Sequence, residues 1–494
     1  MVDTTRQVRC DPHLEPNSAG EPALGLAAPA AVPPEVDRAL RQELARLQRE
    51  LRQPSLSAAL ARGGQLVWSG AVGSRNRPGQ RPEWPADDPL PGSRTTYRVG
   101  SITKPMVALA VLRLAQDGVI ELDEPVRRRL PDSWVGPATV AQLLSHTSGL
   151  RAEPDGPWWE RAGGPTWEQL SAQHSHHGVP PAGPVRYSNV GYAVIGRLLE
   201  TLTGMSWDEA VRRLVWEPLG MVDTGTGPGL EAADGMAVHP FADVTHHEPV
   251  AEYAAMGPAG GAWSTPVDLV RLAACLSGHG PDALLLGAPW RRRMSVPVGV
   301  WDTPGAAWTA GQGCGLTIWN EGGRRWLGHT GSVPGFTSDL LFDPDTGDAA
   351  AVCGNATHPH HGGRPMLAAL ARLAPPEGEA YRPGPCPSGH PLRADLAGTW
   401  YLGPVPMIVA VATGDLGIPT LRLYHASDPS AVTVFEPDGS DWVGVAGGYW
   451  YGERLRVHDE HLPAYLDVGT FRLTRHPYQP EADIPGGVDP AGWR

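Results

Sequence analysis

The 494 residues carry a formal net charge of −13, with a hydrophobic fraction of 41% and a charged fraction of 19%. At roughly 100–200 residues per domain, that length calls for more than one core, and the acidic balance argues against nucleic acid or an anionic bilayer as partner. No apolar run reaches the length of a transmembrane helix, and five widely spaced cysteines exclude a disulfide scaffold and a CxxC zinc site.

In chain order, residues 1–34 show no apolar period and read as a disordered leader without the basic-then-apolar order of a signal peptide, so the chain is expected to be cytoplasmic. Val36, Leu40, Leu44, Leu47 and Leu51 recur at spacings of three and four, which predicts an amphipathic helix stopped by Pro54. Two strands, 55–61 and 65–72, flank Arg62-Gly63-Gly64, a hairpin signal. Residues 76–94, dense in Pro and Gly, read as a loop. A strong helix opens at Ser101 and ends at Asp117-Gly118. Further helices are expected over 138–144, 190–202, 207–215 and 267–276, the last with Thr265 as N-cap and Pro266 in its first turn.

After residue 310 the period becomes two, predicting strands at 314–319, 325–329, 336–342 and 349–353 before a helix at 366–373. Strands at both ends with helices between suggest one sheet built from both ends of residues 35–375, with a helical insertion. Residues 376–394 read as a linker. Residues 395–494 hold short strands at 396–401, 407–412, 421–425, 432–435, 442–445 and 454–457, and a pitch of roughly eight strands suggests a small barrel or sandwich.

Lys104 is the sole lysine; the other basic residues are arginine. It lies in Ser101-Ile102-Thr103-Lys104, so Ser and Lys share a helix face at i and i+3, roughly 5–6 Å apart at Cβ. An amine there can take the hydroxyl proton once burial lowers its pKa, and arginine could not. Tyr187-Ser188-Asn189 adds a phenol, which an adjacent ammonium would help to ionise, and an amide able to bond Lys104 and a substrate carbonyl. His329-Thr330-Gly331-Ser332 ends an apolar strand. There Thr330 can donate to a substrate carboxylate, Gly331 permits close backbone approach, and the Ser332 N–H can face a cleft.

These three motifs, with Gln142 to Leu150 (QLLSHTSGL), Pro258 to Ser264 (PAGGAWS) and Gly328 to Phe336 (GHTGSVPGF), resemble the penicillin-recognising serine hydrolases related to class C β-lactamases. The resemblance covers about residues 36–375. It implies a β-lactamase/transpeptidase-like fold, an α/β (α+β) sandwich with an antiparallel sheet and an all-helical insertion. It also implies acylation of Ser101, proton handling by Lys104 and Tyr187, an oxyanion hole from the N–H groups of Ser101 and Ser332, and no cofactor.

His329 stands where class C β-lactamases carry Lys, which argues against a dedicated β-lactamase. Histidine there resembles some DD-peptidases and D-aminopeptidases, and the penicillin-binding-protein-type thioesterases that cyclise nonribosomal peptides. The C-terminal module resembles the lipocalin-like domain appended to many of these hydrolases. The expected activity is acyl transfer through an acyl-enzyme on a small-molecule, peptide-like or ester substrate. The alternatives are a macrocyclising thioesterase taking a thioester-activated or carrier-protein-bound peptide, and a penicillin-binding sensor that does not turn over.

The clusters His174-Ser175-His176-His177, His246-His247 and His358-Pro359-His360-His361 read as solvated loop histidines and not metal ligands. Trp158, Trp159 and Trp167, read as loop residues, could line the cleft or pack the insertion. Cys314 and Cys353 read as small core residues on inner strands.

Overall fold

The computed structural model describes residues 32–75, 91–174, 183–357, 361–374 and 392–476, apart from 132, 136, 243, 303–304, 322, 403–404, 414–417, 461–463 and 470. The expected leader up to residue 31, most of the 76–94 loop, the linker up to residue 391, Ser175 to His177 and His358 to His360 lie outside the described residues. The chain divides into two units, Met1–Pro375 and Pro376–Arg494.

The predicted amphipathic helix forms as Pro34–Glu50 and buries Val36, Leu40, Leu44 and Leu47. The hairpin pairs Ser55–Arg62 with Gln65–Gly73, and Gly63 and Gly64 both take positive φ at the turn. Ser55–Arg62 also pairs with Ala349–Gly354, far along the chain, so the sheet is built from both ends of this unit. Its antiparallel order continues through Phe336–Phe342, Arg324–Val333, Thr317–Glu321, Ala310–Gln312 and Gly299–Val300.

Strand alternation splits the core in two. Leu56, Ala58, Leu60, Leu341, Ala350 and Val352 pack with the helices Pro34–Glu50 and Gly363–Leu373. Ala59, Ala61, Leu340, Ala351 and Cys353 face the opposite way, toward Thr103–Gln116 and Pro266–Ser277. Thr265 caps the latter helix by accepting the Asp268 N–H, as its sequence predicts. The helical insertion contributes Val140–Leu144, which starts at a Thr139–Gln142 capping box, together with Asn189–Thr203 and Trp207–Val211.

Several expectations change. Trp207–Val211 ends in a π-turn, Arg212–Trp216, so the expected helix is α only in its first half. Cys314 precedes the strand Thr317–Glu321 and is buried in a turn, since the glycines at 313 and 315 break the pairing there; Cys353 lies on a strand as expected. His246 and His247 sit on a short exposed strand, Thr245–His247, paired with Met236–Val238. Trp159 and Trp167 each begin a short helix and contact the core, whereas Trp158 caps the first of these and stays exposed.

The second unit is a closed eight-stranded antiparallel barrel. The last two strands, Tyr465–Val468 and Phe471–Thr474, extend the six marked in the sequence, and the pairing of Gly398–Leu402 with the final strand closes it. Trp400, Leu421, Leu423, Phe435, Leu455 and Leu466 fill the interior.

Candidate active site

The chain reaches Ser101 through a tight turn. Gly100 has φ +52°, and a Cβ there would meet the Ser332 nitrogen at 2.9 Å, so glycine lets the turn lie against the strand Arg324–Val333. Ser101 occupies the 3₁₀ turn Gly100–Ile102, and the α-helix begins at Thr103, two residues later than predicted. Thr103 Oγ1 fixes the turn, donating to the Gly100 carbonyl at 2.7 Å and accepting the Ala262 N–H at 3.0 Å.

Lys104 is fully buried. Its Nζ donates to Ser101 Oγ at 2.9 Å and to the Ala259 carbonyl at 2.6 Å, and lies 4.7 Å and 5.5 Å from the ring centroids of Tyr187 and Tyr192. Burial lowers the ammonium from 10.5 to about 7, against an opposing pull from Glu153 and Glu160. The amine is thus poised to be neutral near physiological pH and already bonded to the hydroxyl it would deprotonate.

Tyr187 is brought in by the helix Asn189–Thr203. Ser188 caps that helix, its Oγ accepting the Gly191 N–H at 2.9 Å and donating to the Arg151 carbonyl at 2.5 Å. The expectation that Lys104 eases ionisation of the phenol is corrected: burial pushes the Tyr187 phenol up, and a hydrogen bond with Ser101 offsets only part of this. Tyr187 therefore acts as a protonated hydroxyl. The expected role of Asn189 also changes. Its Nδ2 donates to Glu153 at 2.6 Å, and the Ala259 carbonyl takes the place beside Lys104.

His329 is buried, and burial with the nearby Lys104 charge lowers it from 6.5 to about 3, so the ring is neutral. Its Nδ1 sits 2.6 Å from the Thr330 carbonyl, which assigns the proton to Nδ1 and leaves Nε2 to accept the Tyr187 hydroxyl across 3.5 Å. Thr330 is half-buried opposite Asp339 on the next strand. Gly331 lies against the Val99 carbonyl and the Ser338 hydroxyl with no room for a side chain, and Ser332 is exposed beside Gly100. The structure thus gathers Ser101, Lys104, Tyr187, His329 and the Gly331-Ser332 strand, with Asn189 held at the side by Glu153.

One further residue was legible only as part of a motif. His146 is buried at φ +58°, a backbone region uncommon for histidine. It accepts the Ser188 N–H on Nδ1 at 3.0 Å and stacks on Tyr187 with ring centroids 4.2 Å apart. Burial and the Lys104 charge keep it neutral. It thereby fixes both the ring and the backbone of the Tyr187 turn.

The β-lactamase family profile matches residues 36–374, so the chain belongs to the β-lactamase family; residues 390–475 match a domain of unknown function (DUF7586). Penicillin-binding protein 4 of Amycolatopsis lactamdurans is 29% identical over 281 residues, 53% of this chain and 72% of that protein. Esterase EstB of Burkholderia gladioli is 33% identical over 202 residues, 36% of this chain and 48% of the esterase, so the chain spans about half of that relative's length. A D-stereospecific amidohydrolase from Streptomyces sp. superposes with a TM-score of 0.54 at 26% identity, covering 68% of this chain and 98% of that one. The protein is a serine hydrolase of this β-lactamase and penicillin-binding-protein type.

Proposed function

We propose that the protein transfers acyl groups from peptide-like or ester substrates through a covalent Ser101 acyl-enzyme. The observation that carries this is the 2.9 Å bond from Lys104 Nζ to Ser101 Oγ, made by a buried amine whose pKa falls to about 7. Neutral Lys104 takes the Ser101 proton as Oγ attacks the acyl carbon. The N–H groups of Ser101 and Ser332 are assigned to the developing oxyanion. The proton returns to the leaving group through the protonated Tyr187 hydroxyl, which Ser101 also contacts. Water or an amine then takes the acyl group. Neutral His329 orients Tyr187 and offers no charge to a substrate carboxylate, which favours amide and ester acyl groups over carboxylate-bearing penicillins.

Similarity to an amidohydrolase and an esterase supports this reading. The test is covalent labelling with a fluorophosphonate, followed by peptide mapping. A label on Ser101 is expected; a label elsewhere, or none with either a fluorophosphonate or a fluorescent penicillin, overturns the assignment. Product analysis with water and amine acceptors then separates hydrolysis from cyclising transfer.

A further inference from the structure

Hydrogen bonds do not fully serve the buried ammonium of Lys104. A primary ammonium carries three N–H donors. Two go to Ser101 Oγ and the Ala259 carbonyl, and no third acceptor bonds Nζ among the described residues. The other close neighbours are aromatic. Nζ lies over the ring of Tyr187, a member of the reacting set, at 4.7 Å, and over the ring of Tyr192, which the acyl-transfer steps do not use, at 5.5 Å. A π-face attracts a cation more strongly than a neutral amine, and more so where water is excluded.

Several contacts fix Tyr192. It is fully buried, one turn past the Ser188 cap on the helix Asn189–Thr203. Its hydroxyl donates to the Leu144 carbonyl at 3.1 Å, at the end of Val140–Leu144, where the Gly315 N–H also bonds at 3.0 Å. Its ring tilts against His146 with centroids 5.2 Å apart. With the hydroxyl held by a backbone carbonyl, Tyr192 meets Lys104 with its face and not with a proton.

We propose that Tyr192 is a positioning residue for the acyl transfer: its ring face stabilises the Lys104 ammonium and thereby sets how readily the amine gives up that proton. The inference rests on Lys104 serving as the base for Ser101. Burial favours the free amine, the charges of Glu153 and Glu160 favour the ammonium, and Tyr192 adds to the side of the carboxylates. The two histidines near the amine, His146 and His329, stay neutral. Cys314, whose charge acts on Tyr192, is raised to about 11 by burial. The sign of the effect separates the ring from mere packing. Loss of the π-face leaves the ammonium less favoured and moves the inflection of Ser101 reactivity down. An opened cavity that admits water relieves desolvation and moves it up, toward 10.5.

The experiment follows fluorophosphonate labelling of Ser101 against pH by intact mass, with the thermal midpoint beside it. The proteins are the full chain, Tyr192→Phe, Tyr192→Leu, and chains in which amber suppression replaces Tyr192 by 4-fluoro- or 3,4,5-trifluorophenylalanine. Tyr192→Phe keeps the face, and its inflection should stay within about 0.3 pH unit of the parent. Tyr192→Leu should lower the inflection by about 0.5–1.5 pH units. The fluorinated rings, nearly equal in shape but weaker in their π-face, should step it down with the number of fluorines, and they decide the matter if Tyr192→Leu does not fold. An inflection unmoved by fluorination, one that rises in Tyr192→Leu, or one that falls as far in Tyr192→Phe as in Tyr192→Leu overturns this role and leaves the Ser101 reading intact. An unaltered chain that does not label, or labels with no inflection, overturns the Lys104–Ser101 reading and this inference together.

Discussion

Covalent labelling of Ser101 should follow the neutral fraction of Lys104. Burial brings the ammonium from 10.5 to about 7, and at about 1.36 kcal/mol per pH unit this fall corresponds to ~5 kcal/mol in favour of the free amine. At pH 7 about half of the molecules then hold a neutral base, against roughly one in 3,000 for an unshifted lysine. The second-order rate of labelling by a fluorophosphonate, followed by intact mass between pH 5.5 and 10, should rise about tenfold from pH 6 to 8 and then level off. The neighbouring histidines and phenol do not supply this inflection: His329 is lowered to about 3, His146 lies well below 6.5, and burial holds Tyr187 above its usual range. Lys104→Arg stays protonated throughout, so labelling should fall by at least ~10²-fold and lose the inflection. A rate that climbs in proportion to hydroxide beyond pH 9 would refute the argument. So would a Lys104→Arg protein of unchanged thermal midpoint that labels within about tenfold of the parent, which would make Lys104 a structural charge.

His329→Lys puts an ammonium beside Lys104 in place of a neutral ring, so the labelling inflection should move below pH 7 and reactivity toward a carboxylate-bearing penicillin should rise; an unmoved inflection together with unchanged or lower penicillin reactivity refutes the role given to His329. Gly331→Ala forces a Cβ into the Val99 carbonyl and the Ser338 hydroxyl, so it should lower stability by about 1–3 kcal/mol in urea unfolding and depress labelling more than the stability loss explains. His146→Asn suits the positive φ but removes the ring stacked on Tyr187. It should lower turnover of a chromogenic ester about tenfold or more with the pH inflection unmoved, whereas a simple loss of stability would lower the thermal midpoint and leave turnover per folded molecule intact.

What the sequence made legible follows from what local periodicity encodes. The helix Pro34–Glu50, the hairpin around Gly63-Gly64 and the strand Phe336–Phe342 each carry a pattern that a few neighbouring residues define. The Ser101–Lys104 pair was legible for the same reason, because i and i+3 on one turn fixes a distance. The role of Asn189 was not, since its amide is claimed by Glu153, 36 residues earlier, and the Ala259 carbonyl fills the place beside Lys104 from 155 residues later. The ionisation of Tyr187 was misjudged because a nearby cation is visible in a motif and the depth of burial is not. His146 lay in full view within a familiar segment, yet its part depends on a backbone conformation that the residue type does not announce.

The lone lysine and the buried site describe one constraint from two sides. Arginine can replace lysine across an acidic, solvated surface with little consequence, and the chain uses arginine at every other basic position. At position 104 the side chain must enter a fully buried place, bond a serine and give up its proton, and a guanidinium cannot do the last of these. The same burial acts on the fold. The folded pKa lies below the unfolded one, so between about pH 7 and 10.5 the unfolded chain binds a proton that the folded chain does not. This group's contribution therefore favours folding more as pH rises through that window. Below about 7 the folded chain must bury the charge, and the full penalty of ~5 kcal/mol is present. The amine that activates Ser101 is thus one point at which the fold bears a cost of acid, and a methionine there would remove that slope together with the chemistry.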